Sequence, residues 1–172
     1  MRAATLFGLL LSVVTGTSAS AMELTSPDLA QGGKVPLSAV YTRCGGSNIS
    51  PAFAWAGAPA STRSFVITLI DQDVKPALWS HWIVVDVPAG TTRFEQGAAL
   101  PSGARALTSD FGDAHFDGPC PPPGSGVHHY RLSVWAMPEA HEAPDNRSAA
   151  ALSAWLKSRA LASASLTTYF ER

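Results

Sequence analysis

The stretch Ser64–Pro88, SFVITLIDQDVKPALWSHWIVVDVP, limits the fold of this chain more than any other. Ser64–Ile70 and His81–Val87 are dense in β-branched and aromatic residues, and a short polar segment divides them. That pattern reads as strand, loop, strand. Asp71, Asp73, Trp79 and His81 collect at the junction. In extended chain the two carboxylates would share a face, because strand side chains repeat every two residues. His81 opens the return strand and can approach them across the hairpin. Two readings stand here. An Asp at a strand end commonly bonds its own backbone in a turn, and a His beside Trp is commonly a half-buried packing residue. Alternatively, the cluster is a binding site.

A third strand is expected over Val127–Met137, VHHYRLSVWAM. Alternation puts His128, Tyr130, Leu132 and Val134 on one face and His129, Arg131, Ser133 and Trp135 on the other. The adjacent histidines therefore point apart, and only one can join a given site. Shorter strands are expected near Glu23–Thr25, Lys34–Leu37 and Phe53–Trp55, with one more between Ala89 and Ser109. Ser148–Ala162 carries Leu152, Trp155 and Leu156 at helical spacing, with Lys157 and Arg159 placed to suit the C-terminal dipole. Ala164–Arg172 alternates as a last strand. Asp110–Gly126 is a loop whose Pro121-Pro122-Pro123 run fixes φ and makes a rigid wall.

At 172 residues the chain suits one domain with a real core. A net charge of −1 gives no electrostatic footprint for nucleic acid or an anionic membrane surface. Residues 1–21 read as a secretory signal. Arg2 precedes a short apolar run, Leu6–Val14, and Ala19-Ser20-Ala21 fits the cleavage rule. The run is too short to span a bilayer. A single domain over 22–172 and a periplasmic or secreted location are expected. Export permits a disulfide. Cys44 and Cys120 are the two cysteines, and on residues alone a bridge and two buried thiols both stand.

Four stretches together carry a family likeness. They are Cys44-Gly-Gly-Ser-Asn-Ile-Ser-Pro51, Asp71-Gln-Asp73, Trp79-Ser-His81-Trp-Ile-Val-Val-Asp-Val-Pro88, and Gly118-Pro-Cys-Pro-Pro122 with Gly126-Val-His128-His-Tyr130. In order and spacing the chain resembles the phosphatidylethanolamine-binding protein family, also called Raf kinase inhibitor-like proteins, in its exported bacterial branch. The resemblance implies a mainly β fold, an antiparallel Greek-key β-sandwich with a few short helices. It also implies a small pocket for phosphate-like groups and phospholipid headgroups. Its wall would comprise Asp71, Trp79, His81, Gly118, Pro119, His128 and Tyr130, with Asp73 in support. The resemblance places the loops of Cys44 and Cys120 near each other, so a bridge between them is expected. The chain departs from the family pattern at Gln72, at Val74-Lys75, at Asp86 for Asn, and at His129 for Arg, which removes a permanent charge.

The expected function is a non-catalytic binding protein for a small anionic or zwitterionic ligand, without a cofactor and with room for a modulated protein partner. His81, His128 and Tyr130 would donate to the anion, and Trp79 would face an ammonium. An unperturbed His titrates near 6.5, so anion binding is expected to tighten as pH falls from about 8 to about 6. Two alternatives stand beside this reading. One is a metal-dependent enzyme built on Asp71, His81 and His128 as a two-His, one-carboxylate site. The other is a protease or kinase inhibitor acting through protein contacts.

Overall fold

The computed structural model describes residues 21–141 and 148–172; the leader expected over 1–21 lies outside them but for its last residue. The described residues form eight strands in two antiparallel sheets, one α-helix and a 3₁₀ turn at Thr42–Cys44. The smaller sheet holds β1 (Glu23–Thr25), β2 (Phe53–Ala56) and β5 (Arg93–Phe94), in the order β1-β2-β5. The larger runs β6-β4-β3-β7-β8, with β3 (Ser64–Asp71), β4 (Trp79–Pro88), β6 (Arg105–Ala106), β7 (His128–Met137) and β8 (Ala162–Phe170). In it β7 returns past β4 and β6 to lie beside β3, which is the Greek-key order.

The central strands β3, β4 and β7 are covered on both faces, which is why they read as continuous apolar runs rather than as clean alternation. On one face Phe65, Ile67, Leu69, Trp82, Val84, Leu132 and Val134 pack against Phe53, Trp55 and Phe94 of the small sheet. The aromatic rings there meet edge-on and stacked, as with Phe53 and Phe94 at 5.1 Å. On the other face Val66, Ile83, Val85, Trp135 and Met137 pack under Leu152 and Leu156 of α1 (Ala149–Arg159). The helix starts at Ser148, whose hydroxyl accepts from the Ala151 N–H.

Two expectations change. Lys34–Leu37 is not a strand: Lys34 makes a single bridge to Tyr169, and the chain then turns. Pro36 supplies no N–H for a ladder, and its carbonyl instead accepts from Ala39. The connection 89–109 holds two short strands rather than one, and they join different sheets.

The β3–β4 ladder carries two bulges. In the first, Phe65 pairs Val87 while Ile67 pairs Val84, so β4 holds one residue too many. Asp86 sits there with φ 56°, a left-handed conformation that Asp and Asn tolerate, and its carboxylate pairs with Arg105 at 2.7 Å. In the second, Leu69 pairs Trp82 and Ile70 pairs Ser80, so His81 is the extra residue.

Candidate functional site

The second bulge decides where His81 points. Opposed residues share a face, so Ser80 lies with Ile70 on the side of Val66 and Thr68, and Trp79 lies with Asp71 on the side of Leu69. Released from that count, the His81 ring packs edge-on against Tyr130, at 5.1 Å, on the same side as Asp71 and Tyr130, which pair across β3 and β7. Ser80, facing away, gives its N–H and hydroxyl to Asp110 at 2.6 and 2.7 Å. That anchors the loop whose Phe111 ring meets His81 at 4.9 Å. One extra residue thus turns His81 into the site and fixes the loop that covers it.

These side chains line a cavity of about 540 Å³ at the open end of β3, β4 and β7. Of the residues expected from the sequence, Asp71, Asp73, Trp79, His81, His128 and Tyr130 reach its wall. Gly118 and Pro119 are not among the lining residues; they lie behind it. The Gly118 N–H donates to the Asn48 side chain at 2.7 Å, and the Pro119 carbonyl accepts from Tyr41. Their part is to set the wall, since a Cβ on Gly118 would fall 1.9 Å from the Ala39 carbonyl oxygen. Phe111, Lys75, Pro121, Pro122 and Ser125 also line the cavity, which sequence reasoning did not assign. The proline run was visible as a wall; Phe111 and Lys75 carried no spacing signal. The bridge between Cys44 and Cys120 is present, with Cα atoms 5.5 Å apart, and Cys120 itself lines the cavity.

The polar groups are mostly committed to one another. His128 Nδ1 meets Asp71 Oδ2 at 2.6 Å, and both side chains are buried. Asp71 Oδ1 accepts the Asp73 N–H at 2.9 Å, so the turn role and the site role of Asp71 coexist. Asp73 accepts from both the backbone and the ring of exposed His129. Partial burial works against the Asp73 charge, but the bonds from His129 outweigh it and hold the carboxyl below its ordinary value. His129 itself is half exposed and is not among the lining residues, on the face opposite His128 as alternation required.

His81 Nδ1 lies 2.9 Å from the Asp117 carbonyl, so that nitrogen carries the proton and donates. Burial pushes the imidazole down to about 4, against the carbonyl of Asp117 and the charge of Asp71, which pull it up. His81 is thus neutral at ordinary pH, and its Nε2 is an acceptor. The expectation that His81 gains charge between pH 8 and 6 is corrected on this ground. The Tyr130 hydroxyl is buried, with the Asp71 carboxylate near it but no hydrogen bond of good geometry among the described residues. Burial, then the neighbouring Asp71 carboxylate, raise this phenol far above its ordinary value, so it stays a donor. Asp71, His81 and His128 do not bring one ligand atom each within 4.8 Å of one another, the closeness that Asp113, His115 and Asp117 reach.

A β-sandwich with a cavity at its strand ends, walled by a His–Asp couple, a second His, a Tyr and a Trp, defines a small-ligand-binding class. The chain belongs to the phosphatidylethanolamine-binding protein family, whose sequence profile matches residues 25–171. It is 35% identical to the UPF0098 protein YbcL of Escherichia coli over 92% of both chains. It is 39% identical to YbhB of the same organism, over 87% of this chain and 99% of that one. A putative lipoprotein of Mycobacterium tuberculosis, LppC, is 32% identical over 74% of this chain. The crystal structure of E. coli YbcL, described as a member of the mammalian PEBP family, superposes with a TM-score of 0.81 and covers 89% of this chain and 99% of its own.

Proposed function

We propose that this is an exported, non-catalytic binding protein whose cavity takes a small phosphate-bearing ligand, such as free phosphate or a phospholipid headgroup. One observation carries the reading. A buried hydroxyl without a well-placed acceptor is costly, by about 1–3 kcal/mol, unless something bound supplies one. The Tyr130 hydroxyl is such a group on the cavity wall, with the Asp71 carboxylate near it but no bond of good geometry to it. The other groups define the ligand further. Neutral His81 offers a lone pair and so requires a ligand that brings a proton, such as P–OH or an ammonium. His128, with Nδ1 committed to Asp71, can meet the ligand only through Nε2. Trp79, Phe111, Pro121 and Pro122 give apolar walls that suit a headgroup's carbon atoms. The apolar stretch Leu6–Val14, with the lipoprotein name of one relative, supports export.

The test is calorimetry at pH 7 with inorganic phosphate, phosphoethanolamine and sulfate, on wild type and Tyr130→Phe. Phosphate and phosphoethanolamine are expected to bind, and sulfate, which brings no proton for His81, at least tenfold more weakly. Tyr130→Phe is expected to lose at least tenfold in affinity while unfolding at the same or a higher temperature, since it removes an unpaired polar group. Absence of binding at millimolar ligand, or equal binding by Tyr130→Phe, overturns the reading.

A further inference from the structure

Behind the cavity wall, three alternate residues of the 110–126 loop converge. Asp113, His115 and Asp117 each offer one ligand atom, and these atoms all lie within 4.8 Å of one another. His115 Nε2 is 3.2 Å from Asp117 Oδ1 and 3.9 Å from Asp113 Oδ2. Asp113 and His115 are more than half exposed, whereas the Asp117 side chain is 0% exposed. Asp117 Oδ2 has no hydrogen-bond partner among the described residues, and the partner beside Oδ1 is the His115 imidazole. A carboxylate withdrawn from water with a single imidazole for a partner is expensive, and here a second acid stands beside that imidazole. Two ligands held at about 2.1 Å from one ion lie roughly 3 Å apart, which the His115–Asp117 pair already meets. Asp113 needs only a side-chain adjustment at the surface to close the set.

We propose that Asp113, His115 and Asp117 bind one divalent transition-metal cation of the zinc class, at a site distinct from the ligand cavity. The donor set selects the ion. An imidazole with two carboxylates suits zinc, cobalt, nickel or copper(II), and the absence of thiolate disfavours copper(I). Magnesium, which prefers oxygen ligands and keeps its waters, fits less well. Two exposed ligands leave room for water in the remaining positions. The arrangement is open rather than closed, with a buried anchor and a rim that an ion can reach from solvent. The competing account is an ion pair, in which a proton on His115 Nε2 answers Asp117 without any metal.

Untagged protein, stripped with chelator and dialysed, should be titrated with zinc chloride by calorimetry at pH 7.5. The expected result is one zinc per chain with a dissociation constant of micromolar or below, and magnesium at least a hundredfold weaker. His115→Ala and Asp113→Asn, both at exposed positions, are expected to weaken zinc at least tenfold with the metal-free melting temperature unchanged. Zinc is expected to raise the melting temperature of wild type and not of His115→Ala. His141→Ala, an exposed control, should bind as wild type does. No saturable binding below 100 μM, on the order of a merely adventitious surface affinity, overturns the proposal in favour of the ion pair. So does unchanged binding by His115→Ala, or loss of zinc on His81→Ala or His128→Ala with His115→Ala unaffected, which would send the metal to the cavity.

Discussion

His128 and Asp71 meet at 2.6 Å across β7 and β3, with both side chains withdrawn from solvent. Asp71 also holds the Asp73 N–H, so removing its carboxylate undoes two bonds and leaves a buried imidazole N–H without an acceptor. Asp71→Ala is expected to destabilise the fold by about 3 kcal/mol. Urea unfolding at pH 7 measures it, and a loss below about 1 kcal/mol would show the couple to be energetically idle.

The pH dependence of stability follows from His81, whose imidazole is pushed down to about 4. In the unfolded chain it titrates near 6.5. Below 6.5 the unfolded state takes up a proton that the folded state refuses, so stability is full above 6.5 and falls as pH drops toward 4. Between pH 7 and pH 5 this amounts to roughly 2 kcal/mol. Asp117, which burial raises, works in the opposite sense and loses stability as pH rises. His81→Asn keeps a donor near the Asp117 carbonyl and cannot titrate. Urea midpoints of both proteins at pH 7 and 5, in chelator, should show a steeper loss for wild type. Parallel losses would mean that His81 is not held neutral.

Gly118→Ala tests the wall behind the cavity. Its methyl group would fall 1.9 Å from the Ala39 carbonyl and 2.8 Å from the Tyr41 nitrogen, both backbone atoms that cannot turn aside. A loss of roughly 2–3 kcal/mol is expected, with the Asp117 carbonyl displaced from His81. Thermal melting and the His81 ring signals in NMR check the two halves separately. A variant as stable as wild type would mean that this contact is looser than it stands here.

The Cys44–Cys120 bridge closes a span of 76 residues. On the chain-entropy account such a loop contributes roughly 4 kcal/mol. The Cys44→Ser, Cys120→Ser double variant is expected to unfold at a correspondingly lower urea concentration, with an unchanged spectrum in the far ultraviolet. Equal midpoints for oxidised wild type and double variant would remove the bridge from the list of things that hold the loops together.

How much of this was legible depends on which rule governed each residue. His128, Tyr130 and His129 obey simple alternation in an unbroken strand, so their faces could be read directly. Asp71 and Trp79 are legible as members of the hairpin-end cluster but not as a pair, since the strand pattern ends at Ile70 and reopens at His81, whereas the strands run on to Asp71 and Trp79. His81 was named for its proximity, but no periodicity places it, because its orientation comes from a local miscount between two strands. Gly118 and Pro119 were expected at the wall and are not among its lining residues. Bonds to Asn48 and Tyr41, far away in sequence, hold them, and Gly118 touches the site through its backbone bond to His81. The strand expected at Lys34–Leu37 failed at Pro36. Asp113, His115 and Asp117 drew no attention as a set, because nothing in a Gly- and Pro-rich loop shows which side chain is buried.

The supernumerary His81 has a consequence for how such a site is inherited or moved. Delete Ser80, keep every cavity residue by name, and Ile70 would pair with His81. The imidazole would then swing to the reverse side of the sheet, the side of Val66 and Thr68, while Asp71 still faced Trp79. What distinguishes a working pocket from a silent look-alike is therefore the parity of the hairpin, odd against even, rather than the roster of its side chains. Any graft onto another sandwich must carry the surplus position along with the histidine that fills it.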